Sequence, residues 1–253
     1  MTDPLLSIRG LTVRYGAVTA VHGVDCTVER GELVGIIGPN GAGKTSLIDA
    51  LTGFTEATGS ARFKNVELLG LASYKRARSG VGRTFQGVEL FEDLTVRENL
   101  MIAAERSRWQ DTLRRLRRPH RAASRELLED TLATFGLSEM ADRRPTELSQ
   151  GRRKMVGVAR ALIGQPELLL LDEPAAGLDS AESRVFGDRL RRLVADGLSA
   201  VLIDHDVDLV MGICDRMYVL EFGEVIASGP AAEIRANDRV IKAYLGTGGH
   251  DAR

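Results

Sequence analysis

Apolar and polar positions change their rhythm several times along this chain of 253 residues. Early on, SIRGLTVRY and AVHGVDCTV carry apolar side chains at nearly every second position, with Gly16 between them. A strand turns successive side chains to opposite faces, so this period predicts a half-buried antiparallel pair turning at Gly16. Three solid apolar runs follow, Leu33 to Ile37, Leu168 to Leu171 and Ala200 to Ile203. Such runs suit strands covered on both faces. The last two lead into acidic or histidine residues and then into helix-compatible sequence, which predicts a parallel sheet alternating with helices. Between about 89 and 165 the period becomes helical, and Thr95 and Glu98 have capping-box spacing, predicting a helix from Val96. Near the C-terminus, MYVLEFGEVIASG predicts a hairpin turning at Gly223, with helix from Ala231.

Composition narrows the class. The chain has 34 basic and 35 acidic side chains, and 43% of its residues are hydrophobic. That is a globular balance, and its near-zero net charge gives no reason to expect nucleic acid as a partner. No apolar run approaches the roughly 18 residues of a membrane span, and MTDPLLSIRG lacks the pattern of a secretory signal. Two cysteines, Cys26 and Cys214, make neither a disulfide framework nor a four-ligand zinc site. A reduced, cytoplasmic chain is expected, with Cys26 as a small core residue. The stretch 106–125, with eight arginines against one acid, reads as a solvated face rather than a lipid-headgroup contact.

The chemistry begins at residues 38–46, GPNGAGKTS, which match G-x-x-x-x-G-K-[ST]. The run is Gly38, Pro39, Asn40, Gly41, Ala42, Gly43, Lys44, Thr45 and Ser46. It directly follows a buried strand and precedes a helical pattern, as a phosphate loop requires. Glycines let backbone N–H groups curl around phosphate oxygens, and the helix start adds unpaired amides and partial positive charge. Lys44 is placed to neutralise the β- and γ-phosphates, and the Thr45 hydroxyl to ligate Mg²⁺. The second half of the site is ELLLLDEPAAGLD, an apolar strand ending in carboxylates. Asp172 there is expected to hold the magnesium shell, and Glu173 to polarise an attacking water. A buried strand tolerates those charges only when paired, here with the metal and lysine. His205, between Asp204 and Asp206, stands at another strand end, where α/β sheets bind ligands.

LSQGR at 148–152, RTFQ at 83–86, EPAAGLD at 173–179 and IDHD at 203–206 complete a wider pattern. With the phosphate loop, it resembles the ATP-binding subunits of ABC transporters over essentially the whole chain. The resemblance implies an α/β P-loop NTPase core with a mixed, mostly parallel sheet, an N-terminal antiparallel β subdomain and an inserted helical subdomain. Residues 1–253 then form one nucleotide-binding domain, with 1–88 and 166–253 as core and 89–165 as the helical part. It further implies that Tyr15 stacks on adenine and that Gln86 touches Mg²⁺ and the membrane subunit. Glu173 matches the catalytic base, Asp179 the D-loop aspartate, His205 the switch histidine, and Ser149 and Gly151 the signature residues that approach phosphate. The family's usual signature is LSGGQ, from which Gln150 and Arg152 depart.

The ending VIKAYLG and the stretch DHDVDLVMGICDRMYVLEFGEVIASG narrow the likeness to ATPase subunits of branched-chain amino-acid importers. The implied cofactors are ATP and Mg²⁺. The implied partners are membrane permease subunits, a second ATP-binding subunit (identical or a paralogue) and, indirectly, an extracytoplasmic solute-binding protein. The implied place is the cytoplasmic face of the cell membrane. ATPases of lipid or lipopolysaccharide exporters and non-transport ABC ATPases share much of the pattern. A GTPase is disfavoured, because no N-K-x-D motif occurs.

Overall fold

The structure, a computed structural model, describes residues 3–85, 89–108 and 120–245. The predicted alternating pair is β1 (Leu6–Tyr15) and β2 (Val18–Val28), and the first apolar run is β3 (Leu33–Ile37). Then come α1 (Lys44–Thr52), β4 (Ala57–Phe63), β5 (Val66–Glu67), α2 (Ser73–Arg78) and β6 (Val81–Arg83). The helical stretch holds α3 (Val96–Arg108), α4 (His120–Thr134), two short 3₁₀ turns and α5 (Gln150–Leu162). Alternation resumes with β7 (Leu168–Asp172), α6 (Ser180–Ala195), β8 (Ser199–Ile203) and α7 (Val207–Ile213). The hairpin β9 (Arg216–Glu221) and β10 (Glu224–Gly229) is followed by α8 (Ala231–Arg235) and α9 (Asp238–Leu245).

Two sheets organise these elements. The first is antiparallel, in the order β2-β1-β4-β5, and its first pair closes at Tyr15 opposite Val18. The second runs β10-β9-β3-β8-β7-β6, and every neighbouring pair in it is parallel except the terminal hairpin. All five residues of β3, β7 and β8 are buried, as their solid apolar runs require.

The pleat sorts those residues between two cores. Val34, Ile36, Leu168, Leu170, Val201 and Ile203 pack with α1 and the antiparallel sheet. Leu33, Ile37, Leu169, Leu171, Ala200 and Leu202 pack against the helices on the other face. Cys26 is buried among the first set, and burial pushes its thiol up to about 12, so it stays protonated and packs as a small apolar group. Among the described residues, no helix is long and apolar enough to cross a membrane.

The apolar pattern does not announce β4, β5, α2 and β6. In β4, Gly59 interrupts the alternation (φ 99°), and a Cβ there would lie 2.5 Å from the Gly10 carbonyl across the sheet. Strand β6 has three residues, too few to display a period.

Candidate nucleotide site

The loop between β3 and α1 is gripped from behind. A Cβ at Gly38 would collide with the Leu220 carbonyl of β9, and one at Gly43 with the Ala20 carbonyl of β2. The Gly223 N–H, at the β9–β10 turn, donates to the Ala42 carbonyl (3.1 Å), and His22 N–H donates to Gly223 (2.8 Å). On the opposite side the loop is open, since a Cβ at Gly41 would meet nothing within 4 Å. Helix α1 begins at Gly43 without a side-chain cap, so its first amides are left to an anion.

Lys44 folds over this loop. Its Nζ donates to the carbonyls of Gly38 (2.6 Å) and Pro39 (3.0 Å), and the residue is buried. Burial lowers its pKa from the ordinary lysine range, against the pull of Glu173 and Asp172. Next along α1, the Thr45 hydroxyl lies 3.5 Å from Asp172 Oδ1 at the end of β7.

Asp172 is 1% exposed, and its partner differs from the sequence expectation. The lysine named for that role bonds to its own loop, and the charge facing Asp172 Oδ2 is Arg83 Nη2 of β6, at 3.4 Å. Arg83 Nη1 also reaches Asp49 Oδ1 (2.6 Å) and the Thr52 hydroxyl (2.9 Å) of α1. Its guanidinium lies against the rings of Phe54 and Phe85. The Asp172 N–H in turn donates to Thr84 Oγ1 at 3.1 Å. Burial holds the Asp172 carboxyl above the usual carboxylate range, and Arg83 opposes that shift.

Glu173 has φ 51°, an uncommon conformation outside glycine. Its N–H donates to the Ile203 carbonyl (2.8 Å), and its Oε1 accepts from His205 Nε2 (2.6 Å). The Glu173 side chain is 12% exposed and that of His205 48%, so the pair opens to solvent through the histidine. Beneath them, the buried Asp204 accepts from the N–H groups of Ala175 (2.9 Å) and Asp206 (3.0 Å). Asp172, Glu173, Arg83 and Lys154 share the wall of a cleft of about 610 Å³.

The remaining predicted residues sit further out. Tyr15, 47% exposed at the tip of β1, is not packed into either core. Ser149 caps α5, its Oγ accepting from Arg152 N–H (3.3 Å), and is exposed. Gly151 is buried against the segment after β7: a Cβ there would lie 2.6 Å from Leu178 Cδ2. Asp179 caps α6, its Oδ1 accepting from Ala181 and Glu182 N–H groups (both 2.8 Å). The departure at Arg152 has a local use, because its Nη1 donates to the Gly136 carbonyl beyond α4 (3.3 Å). Gln86 and the greater part of the arginine-rich stretch lie outside the described residues.

Sequence reasoning passed over three side chains, Arg83, Thr84 and Lys154. Arg83 and Thr84 stand in the quoted RTFQ, but only packing of β6 beside β7 shows that they flank Asp172. The residues present fit a magnesium nucleotide. The open glycine loop and uncapped helix start suit phosphate, and the oxygens of Thr45 and Asp172 suit a hard divalent ion. Among the described residues no cluster of three or more His, Cys, Asp or Glu could hold a metal.

Comparisons with known proteins agree with this architecture. Residues 21–176 match the ABC transporter family profile, and residues 224–250 match one described as branched-chain amino acid ATP-binding cassette transporter. The high-affinity branched-chain amino acid transport ATP-binding protein BraF of Pseudomonas aeruginosa is 41% identical, over 97% of this chain and 99% of its own. The corresponding LivG protein of Escherichia coli K12 is 41% identical over the same shares. A solved ATP-binding cassette of an ABC transporter, in its ADP conformation, superposes with TM-score 0.84 at 30% identity. That match covers 97% of this chain and all of the other. The chain belongs to the ABC transporter family.

Proposed function

We propose that this chain is the ATP-hydrolysing subunit that powers movement of branched-chain amino acids or related small solutes through separate permease subunits. The observation that carries the reading is the convergence of three strand ends on one open loop. Lys44 and Thr45 follow β3, Asp172 ends β7 with Glu173 just after it, and His205 follows β8. The likeness to BraF and LivG over nearly full length supports the solute class.

The loop amides and Lys44 would bind the phosphates, with the lysine exchanging its loop carbonyls for phosphate oxygens. Thr45, Asp172 and Gln86 would hold magnesium, which would supply positive charge at the terminal phosphates. Glu173 Oε1 would accept the proton of the attacking water, while His205 Nε2, already bonded to that oxygen, fixes the carboxylate's direction and senses the phosphate. Tyr15 offers an exposed ring for the adenine face. Ser149, Gly151 and Asp179 would complete the site of a second ATP-binding subunit, identical or paralogous.

In this reading residues 1–253 form one nucleotide-binding domain, with 89–165 as its helical part, on the cytoplasmic face of the membrane. A solute-binding protein acts indirectly, on the far side. The test is phosphate release by the purified chain and its Glu173→Gln variant, with permeases identified by affinity purification from native membranes. The variant should bind ATP, hydrolyse it about 10²-fold or more slowly and accumulate as a dimer. Full turnover by the variant would remove Glu173 as the base, and co-purifying lipid-export permeases would replace the solute class.

A further inference from the structure

Glu173 is held at its N–H, at its carboxylate and at its carbonyl. Its N–H is taken by Ile203 of β8 and its carboxylate by His205 beyond β8. The third is its carbonyl, which accepts from Lys154 Nζ at 2.6 Å. Lys154 belongs to α5, so it ties the helix capped by Ser149 to the residue just after the acidic strand. It neighbours three carboxylates, those of Glu173, Asp204 and Asp172, and its ammonium donates to a neutral carbonyl.

The backbone explains why that carbonyl needs holding. Glu173 combines φ 51° with a proline next in the chain, and a proline ring crowds the residue before it. A non-glycine residue in such a region persists only where its surroundings over-determine it. The N–H bond to Ile203 fixes one end of the residue, and the carbonyl bond fixes the other. With both in place, the direction in which Cβ leaves the chain is set, and so is the reach of the carboxylate to His205.

We infer that Lys154 is a positioning residue for Glu173, holding its backbone so that the carboxylate points where water must be deprotonated. The inference rests on the reading of Glu173 as the base. It assigns Lys154 no contact with the nucleotide. Its removal therefore acts on turnover and leaves binding intact.

The test compares Lys154→Met, which keeps the stem and loses the donor, with Lys154→Arg, which keeps a donor, in the full-length chain. Phosphate release, ATP affinity by equilibrium titration and thermal midpoint are read for each, beside Glu173→Gln. Expected are a kcat lowered roughly ten- to a hundredfold in Lys154→Met, ATP affinity within about twofold, and recovery of most of the rate in Lys154→Arg. Wild-type turnover by Lys154→Met, while Glu173→Gln is inactive, overturns the role of Lys154 and spares the base. Loss of affinity in step with kcat, or a drop in thermal midpoint that Arg does not repair, also overturns it, since the lysine is then merely structural. Wild-type turnover by Glu173→Gln overturns the base assignment itself, and with it this inference.

Discussion

The phosphate loop and the signature segment are both helix starts, and they are built in opposite ways. At α1 the cap is a glycine with no side-chain bond, its loop is gripped by β2 and β9, and Lys44 is 6% exposed. At α5 the cap is Ser149, whose oxygen already satisfies Arg152 N–H, and the residue stands in solvent. The first is a finished cradle with acidic groups, an arginine and a histidine behind it. The second is exposed at Ser149 and Gln150, while Gly151 behind them packs against Leu178. In the proposed pairing of ATP-binding subunits, the first helix start would hold the nucleotide of its own chain and the second would face the nucleotide of the partner.

Removing the lysine breaks the first half most deeply. Lys44→Ala deletes the single buried cation of the loop, so ATP affinity should fall by on the order of a hundredfold, or about 2.7 kcal/mol. Titration with a fluorescent ATP analogue reads it, and unchanged affinity would mean that the backbone amides alone hold the phosphates. Arg83→Met comes next. It strands Asp172 and Asp49 beside an apolar stem, a change that typically costs about 3–5 kcal/mol because a buried partner is lost. Apparent Mg²⁺ affinity of the nucleotide-loaded chain, measured below the variant's melting range, should fall about tenfold. Arg83→Lys should recover only part of this, since an ammonium cannot fork between α1 and β7.

How far these regions were legible beforehand follows from how local their signals are. The loop 38–46 lies in one stretch after one buried strand, so periodicity and motif together place it. The carboxylates of β7 and the histidine after β8 are legible as ends of apolar runs. Arg83 is different, because its meaning depends on β6 lying beside β7, a pairing between residues 81–83 and 168–170. No pattern within three residues carries that information. Lys154 escapes for a related reason. On the helical repeat of α5 it is one more polar position, and only the turn taken by Glu173 brings a carbonyl to it. Likewise the expected pairing of Asp172 with lysine followed from charge alone, whereas the backbone lets Lys44 satisfy itself on its own loop.

The signature half yields a smaller effect with a sharper contrast. Ser149→Ala removes a helix cap, costing about 1 kcal/mol, and should leave ATP binding by dilute single chains unchanged. Steady-state hydrolysis at concentrations that favour pairing should nevertheless fall about tenfold. A parallel loss of binding in dilute chains would place Ser149 in its own chain's nucleotide site and erase the distinction between the two helix starts.

The smallest effect runs against intuition, because it makes the protein more stable. Burial raises the Asp172 carboxyl above its ordinary range, and Arg83 only opposes that shift. The folded state therefore keeps this proton to a higher pH than the unfolded chain does. Its contribution to stability is fully present below the ordinary carboxylate pKa and is lost as pH rises through the folded value. Asn carries no such charge at any pH, and Arg83 would retain Asp49 and Thr52 as partners. Asp172→Asn should thus raise the thermal midpoint at pH 7 by about 2–4 °C, and the gain should vanish below about pH 3.9. The same variant should lose Mg²⁺-dependent nucleotide binding. A midpoint that falls at pH 7 would mean that the Arg83 pair outweighs desolvation, and that the acidic strand end is held in place by attraction. A midpoint that rises would mean that the cradle keeps a destabilising charge because its ligand needs one, a strain that the exposed Ser149 cap does not carry.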